Sequence, residues 1–271
     1  MKSFLMTLIT ACLLTAAPIT ITYAQNFDKA VKAYEAGDYT TAAKKFRLLA
    51  EQDYASAQFN LGLMYDQGEG VTQDYVEAVR WYRLAAEQDY ADAQFNLGYM
   101  YSKGEGVTQD YAEAVRWYQL SAKQGNAVAQ FNLGNMYNQG KGVPQDYAEA
   151  VRWYQLSAKQ GDAMAQNNLG YMYSKGQGAP QNYAEAVRWY QLAAEQGDAS
   201  AQFNLGYRYS FGEGVPQDYV LAHMWFNIAA ASGHEYALKA RDLHASLMSS
   251  NQIAEAQQHA RDCMARGLKG C

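Results

Sequence analysis

The six residues Ala57–Gly62, with the sequence AQFNLG, recur along this 271-residue chain at a constant interval of 36 residues. The later copies begin at Ala93, Ala129, Ala165 and Ala201. One copy differs, because Asn167 stands where the others have a phenylalanine. A fixed period of this size, without insertions, is typical of a solenoid of stacked helical units. The interval therefore divides the middle of the chain into five repeats, which are residues 55–90, 91–126, 127–162, 163–198 and 199–234.

The pattern within each repeat predicts two helices joined by a glycine turn. In the first repeat, helix A is expected from about Ala55 to Gln67 and helix B from about Tyr75 to Gln88. Gly68 and Gly70 separate the two and recur in every repeat. Glycine ends a helix and turns the chain at little steric cost, so this spacing predicts a helix-turn-helix unit.

Helix B carries a broad apolar arc, which is typical of a helix that contacts both its own helix A and a neighbouring repeat. Asp74 and Glu77 have the spacing of a capping box at its first turn. The glycine at position 62, inside helix A, predicts a close approach of helix B. All five tryptophans share one position in helix B, and we interpret them as residues that pack between repeats: Trp81, Trp117, Trp153, Trp189 and Trp225.

Each repeat follows the pattern Ala-x-x-x-Leu-Gly-x-x-Tyr-x-x-Gly-x-Gly, then Asp-Tyr or Asn-Tyr, and in four repeats Ala-Val-Arg-Trp-Tyr. This pattern resembles the Sel1-like repeat family, which is related to the tetratricopeptide repeats. The resemblance implies an all-α fold, a right-handed α/α superhelical solenoid that works by binding proteins as an adaptor or scaffold. Residues 25–54 resemble a degenerate N-terminal helix pair. Residues 235–271 are out of phase and predict C-terminal capping helices, with Ser249 and Gln252 at capping-box spacing.

The phenylalanine of the repeated motif does not lie on the packed side of helix A. Ala57, Leu61 and Met64 share one side of the helix, whereas Phe59 and Leu63 project to the opposite side. In tetratricopeptide-like solenoids helix A lines a concave groove, so the resemblance implies that this opposite side meets the partner. The predicted partner-binding residues are Phe59, Leu63, Asp66, Phe95, Tyr99, Ser102, Phe131, Asn135, Asn138, Asn167, Tyr171, Ser174, Phe203, Tyr207, Arg208 and Ser210.

A second interpretation of these residues stays open. The phenylalanines can pack sideways on neighbouring repeats instead of meeting a partner. The asparagines that follow them, from Asn60 onward, can bond to a peptide backbone or tie helix A to the next turn. Arg208 replaces a methionine of the other four repeats, and it is either a recognition residue or a relaxed position of a terminal repeat.

The chain begins with Lys2 and an apolar run, followed by small residues up to Ala24. These features predict a signal peptide of residues 1–24, cleaved after Ala24, and a periplasmic or secreted protein. Lipid attachment at Cys12 is the alternative. Cys263 and Cys271 then remain, and two cysteines in an oxidising compartment predict one disulfide.

The composition and motifs argue against several classes of function. The chain has 22 basic and 27 acidic residues without a basic cluster, which excludes nucleic acid as an expected partner. No hydrolase-like set of side chains occurs, and His259 with Cys263 is too small a set to predict a metal site. No cofactor is expected. We expect a monomeric, non-enzymatic adaptor without a membrane span that binds a protein or an extended peptide.

Two other functions remain as alternatives. One is a glycan-binding module of the cell envelope, because tyrosine rows also stack on sugars. The other is a β-lactamase-like hydrolase, since cysteine-rich members of the family have been linked to β-lactams. Those members carry a Cys-x7-Cys pair in every repeat, whereas here that spacing occurs once, from Cys263 to Cys271.

Overall fold

The computed structural model describes residues 25–271, and every regular element in that range is an α-helix. The predicted signal peptide and the alternative lipid site at Cys12 lie outside the described residues. The described helices are α1 (residues 25–35), α2 (Tyr39–Ala50), α3 (Ala55–Gln67), α4 (Tyr75–Glu87), α5 (Ala91–Lys103), α6 (Tyr111–Lys123), α7 (Ala127–Gln139), α8 (Tyr147–Lys159), α9 (Ala163–Lys175), α10 (Tyr183–Ala194), α11 (Ala199–Phe211), α12 (Tyr219–Ala231), α13 (Ala237–Ala245) and α14 (Ser250–Ala265). The predicted all-α fold of 36-residue helix-turn-helix repeats is confirmed.

The helices form two compact units, one ending at Gln124 and the other covering Gly125–Cys271. Within each unit, helix A of a repeat packs against its own helix B and against helix B of the preceding repeat. Helix α2 has the phase of a helix B. The backbone of its first residue, Tyr39, lies against Gly70, as the backbone of Tyr75 at the start of α4 lies against Gly106. Among residues 25–271, no helix is long and apolar enough to cross a membrane.

The predicted close approach at the helix A glycine is confirmed. A Cβ atom added to Gly62 would lie 2.7 Å from the ring of Tyr82 on helix B. The same contact is made by the glycine and the ring in the later repeats, with Phe226 replacing tyrosine in the last. A larger residue there would push helices A and B apart, so the repeated glycine is required by packing.

The tryptophans pack between helices, as predicted. Trp117 of α6 is buried in one cluster with Ala78 and Tyr82 of α4 and with Leu97 of α5. It therefore joins its own repeat to the preceding helix B. The five tryptophans are each at most 6% exposed, which makes them unavailable to a partner.

The predicted capping boxes at the helix N-termini are found only in part. The Asp74 carboxylate accepts hydrogen bonds from the amides of Val76 and Glu77. The second half of the predicted capping box is wrong, because the Glu77 carboxylate instead pairs with Arg80 at 3.1 Å. At α14 the predicted capping box is present in both halves.

The chain ends with a helix that covers the last helix B. Helix α14 packs on α12. Its Ala260 and Cys263 are buried in one cluster with Met224 and Ile228 of α12. The last repeat carries Leu221 and Met224 where the other four have a glutamate and an arginine. These two apolar residues replace charged ones because α14 covers this side of α12 and excludes water from it.

Candidate functional site

The candidate site is the side of the A helices that bears the repeated phenylalanine, which we call the A-helix stripe. It comprises three positions per repeat, represented in the first by Phe59, Leu63 and Asp66. The structure brings these positions together along each unit but buries them to different extents. The three tyrosines at the second position are the open ones, since Tyr99, Tyr171 and Tyr207 are 41%, 46% and 39% exposed.

The phenylalanines are half-buried and pack against aromatic rings of helix B. The ring centroid of Phe59 lies 6.0 Å from that of Tyr82 and 5.1 Å from that of Tyr90. In the last repeat, Phe203 stacks on His234 at 4.3 Å. The phenylalanines thus form the base of the stripe. The packing interpretation describes most of their contacts, while their outer edges remain accessible.

The third position of the stripe is engaged by the tyrosine of helix B. The hydroxyl of Tyr82 donates to the Asp66 carboxylate at 3.1 Å, and that of Tyr118 donates to the Ser102 hydroxyl at 3.4 Å. In the third repeat Tyr154 instead donates to the second position of the stripe, the Asn135 side-chain oxygen, at 2.7 Å. These hydrogen bonds hold the polar side chains of the stripe in fixed positions.

Asp66 is the charged residue at the positions of the A-helix stripe. Burial raises the pKa of its carboxyl group, and the hydrogen bond from Tyr82 acts in the opposite direction. Burial also raises the pKa of Tyr118 and Tyr154, in each case to about 12. These phenols therefore remain protonated donors at any physiological pH.

Three of the predicted contact residues lie below the surface. Ser174 and Ser210 are buried, and their hydroxyls donate to the carbonyl oxygens of Tyr171 and Tyr207 at 2.8 and 3.0 Å. Arg208 is buried as well. These three side chains are therefore not part of the candidate binding surface, because a partner cannot reach them.

Arg208 occupies the core position that methionine holds in the other repeats. Its guanidinium is ion-paired with Glu213 of the glycine turn. It also lies 4.8 Å from the ring centroid of Tyr207 and 5.2 Å from that of Tyr183. The arginine therefore joins α11 to the start of α10 instead of standing free as a recognition residue.

The exposed tyrosines have cationic or aromatic neighbours on the same helix. The Lys103 ammonium lies 5.5 Å from the ring centroid of Tyr99, and that of Lys175 lies 5.8 Å from Tyr171. The Phe211 ring is 4.5 Å from Tyr207. Sequence reasoning left these neighbours out of the site. Phe211 was detectable, because the other repeats have glutamine or lysine at its position.

The repeated asparagines bond within the chain. The Asn60 amide donates to the carbonyl oxygen of Ser56 at 2.7 Å, one turn earlier in the same helix. The Asn204 amide donates to the side-chain oxygen of Asn167 at 3.1 Å, in the preceding repeat. These amides therefore donate within the fold, but to the same helix and to the preceding repeat and not to the following turn.

Cysteine and histidine at the C-terminus do not form a metal site. The structure pairs Cys263 with Cys271, with a Cα–Cα distance of 5.7 Å. The thiol that His259 would need as a co-ligand is thus engaged elsewhere. Within residues 25–271, no group of three or more His, Cys, Asp or Glu side chains is placed to hold a metal ion.

Comparison with known proteins gives consistent matches. A family model described as Sel1 repeat matches residues 55–90, 91–126, 127–162, 163–198 and 199–234. A search of curated proteins found no match.

Two solved structures are similar over most of the chain. One is a protective antigen present in uropathogenic Escherichia coli strains, displaying an SLR fold, with 38% identity and a TM-score of 0.80. The match covers 91% of this chain but 54% of that one, so the chain spans about half the length of the Escherichia coli protein. The other is a Sel1 repeat protein from Oxalobacter formigenes, with 33% identity and a TM-score of 0.75 over 87% of this chain and 96% of that one.

Proposed function

The chain belongs to the Sel1 repeat family, and on that premise we propose that it is an exported adaptor that binds an extended peptide or protein segment along the A-helix stripe. Proteins with Sel1 repeats generally mediate protein–protein interaction. Export rests on the signal-peptide pattern that ends at Ala24. N-terminal sequencing of the mature protein should then begin at Gln25, and a chain that starts at a lipid-modified Cys12 would contradict export as a free protein.

The row of exposed tyrosines is the observation that carries the proposal. Tyr99, Tyr171 and Tyr207 occupy one position of the repeat, and each presents an open ring beside the half-buried base of the stripe. Tyrosine offers a large contact area with few rotatable bonds, which explains its enrichment at protein interfaces. The contacts of Lys103 with the Tyr99 ring and of Lys175 with the Tyr171 ring restrain these tyrosines before a partner arrives, and this lowers the entropic cost of binding.

The position varies between repeats in a way that a pure packing role does not require. It is Leu63 in the first repeat and Asn135 in the third, while the core positions of the same helices hardly change. An extended peptide that follows the stripe would meet leucine and then tyrosine in the first unit, and asparagine and then two tyrosines in the second. Such a surface can read a sequence of side chains.

The test is capture of partners by the immobilised mature protein from an envelope extract of the producing bacterium, followed by mass spectrometry. The variant replaces Tyr99, Tyr171 and Tyr207 by alanine together. Interface tyrosines that act as hot spots contribute about 2 kcal/mol or more each, so the triple variant should lose at least 10-fold in affinity. Its helical circular dichroism should be unchanged, because the three rings lie at the surface.

A matched control keeps this test specific. The double variant Val128→Ala and Met164→Ala removes apolar side chains that are 46% and 54% exposed on two A helices but lie outside the stripe. It should bind like the wild type. Normal binding by the tyrosine variant would refute the proposal. Recovery of a glycan in place of a protein would show that the stripe binds a carbohydrate.

A further inference from the structure

A second surface of the chain lies beside its helices of type B. An apolar groove of about 420 Å³ runs between α2 and the glycine turn that comes after α3. Ala43, Leu48 and Val71 form its floor, and Lys44, Arg47 and Glu51 lie at its rim. This groove is separate from the A-helix stripe, so a ligand bound there is independent of the proposed function.

The same groove exists beside α10, four repeats later in the sequence. There a space of about 430 Å³ is lined at the equivalent positions by Val187, Arg188, Leu192 and Glu195. The groove thus occurs beside two helices of type B, and the element that covers helix B elsewhere in the chain shows which kind of segment fits it.

The chain itself provides that cover once, on the last helix B. Leu192 of α10 is 38% exposed, whereas Ile228, the equivalent residue of α12, is 1% exposed. Helix α14 packs on α12, and the terminal loop reaches back to α10, where the amide of Gly270 donates to the Glu195 carboxylate at 3.4 Å. Helix α14 therefore seats on the side of helix B that the other repeats leave open.

The seated face of α14 has a simple chemistry. Its buried residues are Ala256, Ala260 and Cys263, spaced four and three positions apart on one side of the helix. Small side chains let two helix backbones approach closely, which allows the large apolar residues of helix B to fill the interface. A stripe of small residues is thus the complement of this side of helix B.

Helix α2 exposes this side more than the later helices of type B do. Leu48 is 61% exposed. The glutamate–arginine pair of later repeats is replaced by Thr41 and Lys44, which leaves lysine and arginine at the rim without that glutamate. The groove beside α2 therefore combines apolar side chains with two cations and one carboxylate, that of Glu51, and Arg47 also donates to the Tyr65 hydroxyl. The net charge at the edge is positive, so an acidic residue of a partner would be stabilised there, chiefly by Lys44.

We infer that the groove beside α2 binds an amphipathic helix of a partner protein. The partner helix presents small residues at i, i+4 and i+7 to Leu48 and places acidic residues beside Lys44 and Arg47. It seats on α2 in the way that α14 seats on α12. This is a helix-in-groove interaction with a defined register and a defined charge preference.

The probe for the test is a synthetic peptide of residues 249–266 with Cys263→Ala, labelled for fluorescence anisotropy. In the mature protein the equivalent seat on α12 is already filled by α14. Between the grooves beside α2 and α10, the peptide should prefer α2, because Leu48 is 61% exposed and Leu192 is 38% exposed, and because the glutamate–arginine pair of α10 is absent from α2. The Leu48→Glu protein should bind the peptide at least 10-fold more weakly. Met164→Glu, a change at a comparably exposed residue of α9, should leave binding unchanged.

Peptide variants test the stated chemistry. Ala256→Lys blocks the small-residue stripe and should abolish binding. Gln257 lies at the edge of that stripe, so Gln257→Glu should bind more tightly than Gln257→Lys, and the difference should shrink at high salt. Absence of peptide binding, or binding that Leu48→Glu leaves intact, would overturn the inference. A concentration-dependent dimer that Leu48→Glu abolishes would assign the groove to a second copy of the chain and would also overturn it.

Discussion

A ladder of buried glutamines links the repeats, and its last rung is missing. In the repeats with complete rungs, the amide of a helix A glutamine donates to a carbonyl of the preceding helix B, as Gln166 does to Ala158 at 3.1 Å. The side-chain oxygen of that glutamine accepts from a second glutamine 30 residues later, as Gln166 does from Gln196 at 2.8 Å. In the last repeat that second position is Ser232, and the side-chain oxygen of Gln202 is buried without a partner.

We therefore expect Ser232→Gln to stabilise the C-terminal unit. The backbone of Ser232, with φ −82° and ψ 4°, matches that of Gln160, with φ −85° and ψ 0°, so a glutamine can adopt the same arrangement. An unsatisfied buried acceptor costs about 1–3 kcal/mol. Ordering one long side chain costs about 1–2 kcal/mol. The net gain in the free energy of unfolding should be about 1 kcal/mol, or about 2–4 °C in Tm for a unit of this size.

Amide exchange of α11 and α12 is the suitable assay, because repeat proteins unfold in parts and one global free energy is ill-defined. The mirror variant Gln196→Ser leaves the side-chain oxygen of Gln166 without a partner, as the natural sequence does for Gln202. It should lose about 1 kcal/mol, since the same entropy of ordering a glutamine is released. In a Gln202→Met background Ser232→Gln should no longer stabilise. A gain of equal size in that background would refute the argument, because it would show that the new glutamine acts without the missing hydrogen bond.

Three further outcomes are expected. Arg208→Met should leave Tm unchanged or raise it, because methionine fills this core position in the other four repeats and the Glu213 side chain, which is 31% exposed, can be hydrated once its partner is removed; a loss of more than about 2 kcal/mol in the free energy of unfolding would contradict this. Cys271→Ser should increase amide exchange in residues 250–271 and leave α3–α6 unchanged, since closing so short a loop contributes about 2–3 kcal/mol at one end of the chain; unchanged exchange in α14 would contradict it. Burial and, to a smaller extent, the charge of Arg241 lower the pKa of His223 in the folded state. As the pH falls through the ordinary histidine pKa of about 6.5, the unfolded state is therefore protonated first and the free energy of unfolding should decrease. A His223→Gln variant with the same pH dependence would contradict this.

The repeat and its helices could be predicted because they depend on local and periodic features. Helix A of the first repeat is expected from about Ala55 to Gln67 and is found there. The glycine turn, the buried tryptophans and the contact at Gly62 depend on residues that recur at fixed spacing. A strict period repeats each contact several times, so one correct interpretation holds for every repeat.

The exposure of individual stripe residues could not be predicted with the same certainty. Ser174 and Ser210 project to the same side as Asp66, yet they are buried. Their short side chains bond to the carbonyls of their own helix instead of reaching the surface. Helical projection gives a direction but not a depth, and depth depends on the length of the side chain and on its neighbours.

For Arg208 and α14 the signal was present in the sequence. Arg208 has the phase of the core methionines, so its side chain had to lie near the packed side of helix A. The loss of the glutamate–arginine pair at Leu221 and Met224 indicated that another element covers the last helix B. In both cases a residue differs from those at the same position of the other repeats, and each difference marks a place where the surroundings of that repeat differ.

The departures also indicate where specificity can lie. Positions that are the same in every repeat, such as Leu61 and Gly62, are buried and hold the fold, so they offer a partner no surface. A partner of unique sequence has to be recognised by positions that are both exposed and different between repeats. The second position of the A-helix stripe comes nearest to both conditions, since it is an exposed tyrosine in three repeats and a half-buried leucine or asparagine in the other two. A variant with tyrosine also at Leu63 and Asn135 would make the stripe uniform. It should bind aromatic-tolerant partners at least as well and lose discrimination among peptides, whereas unchanged discrimination would place the specificity outside the stripe.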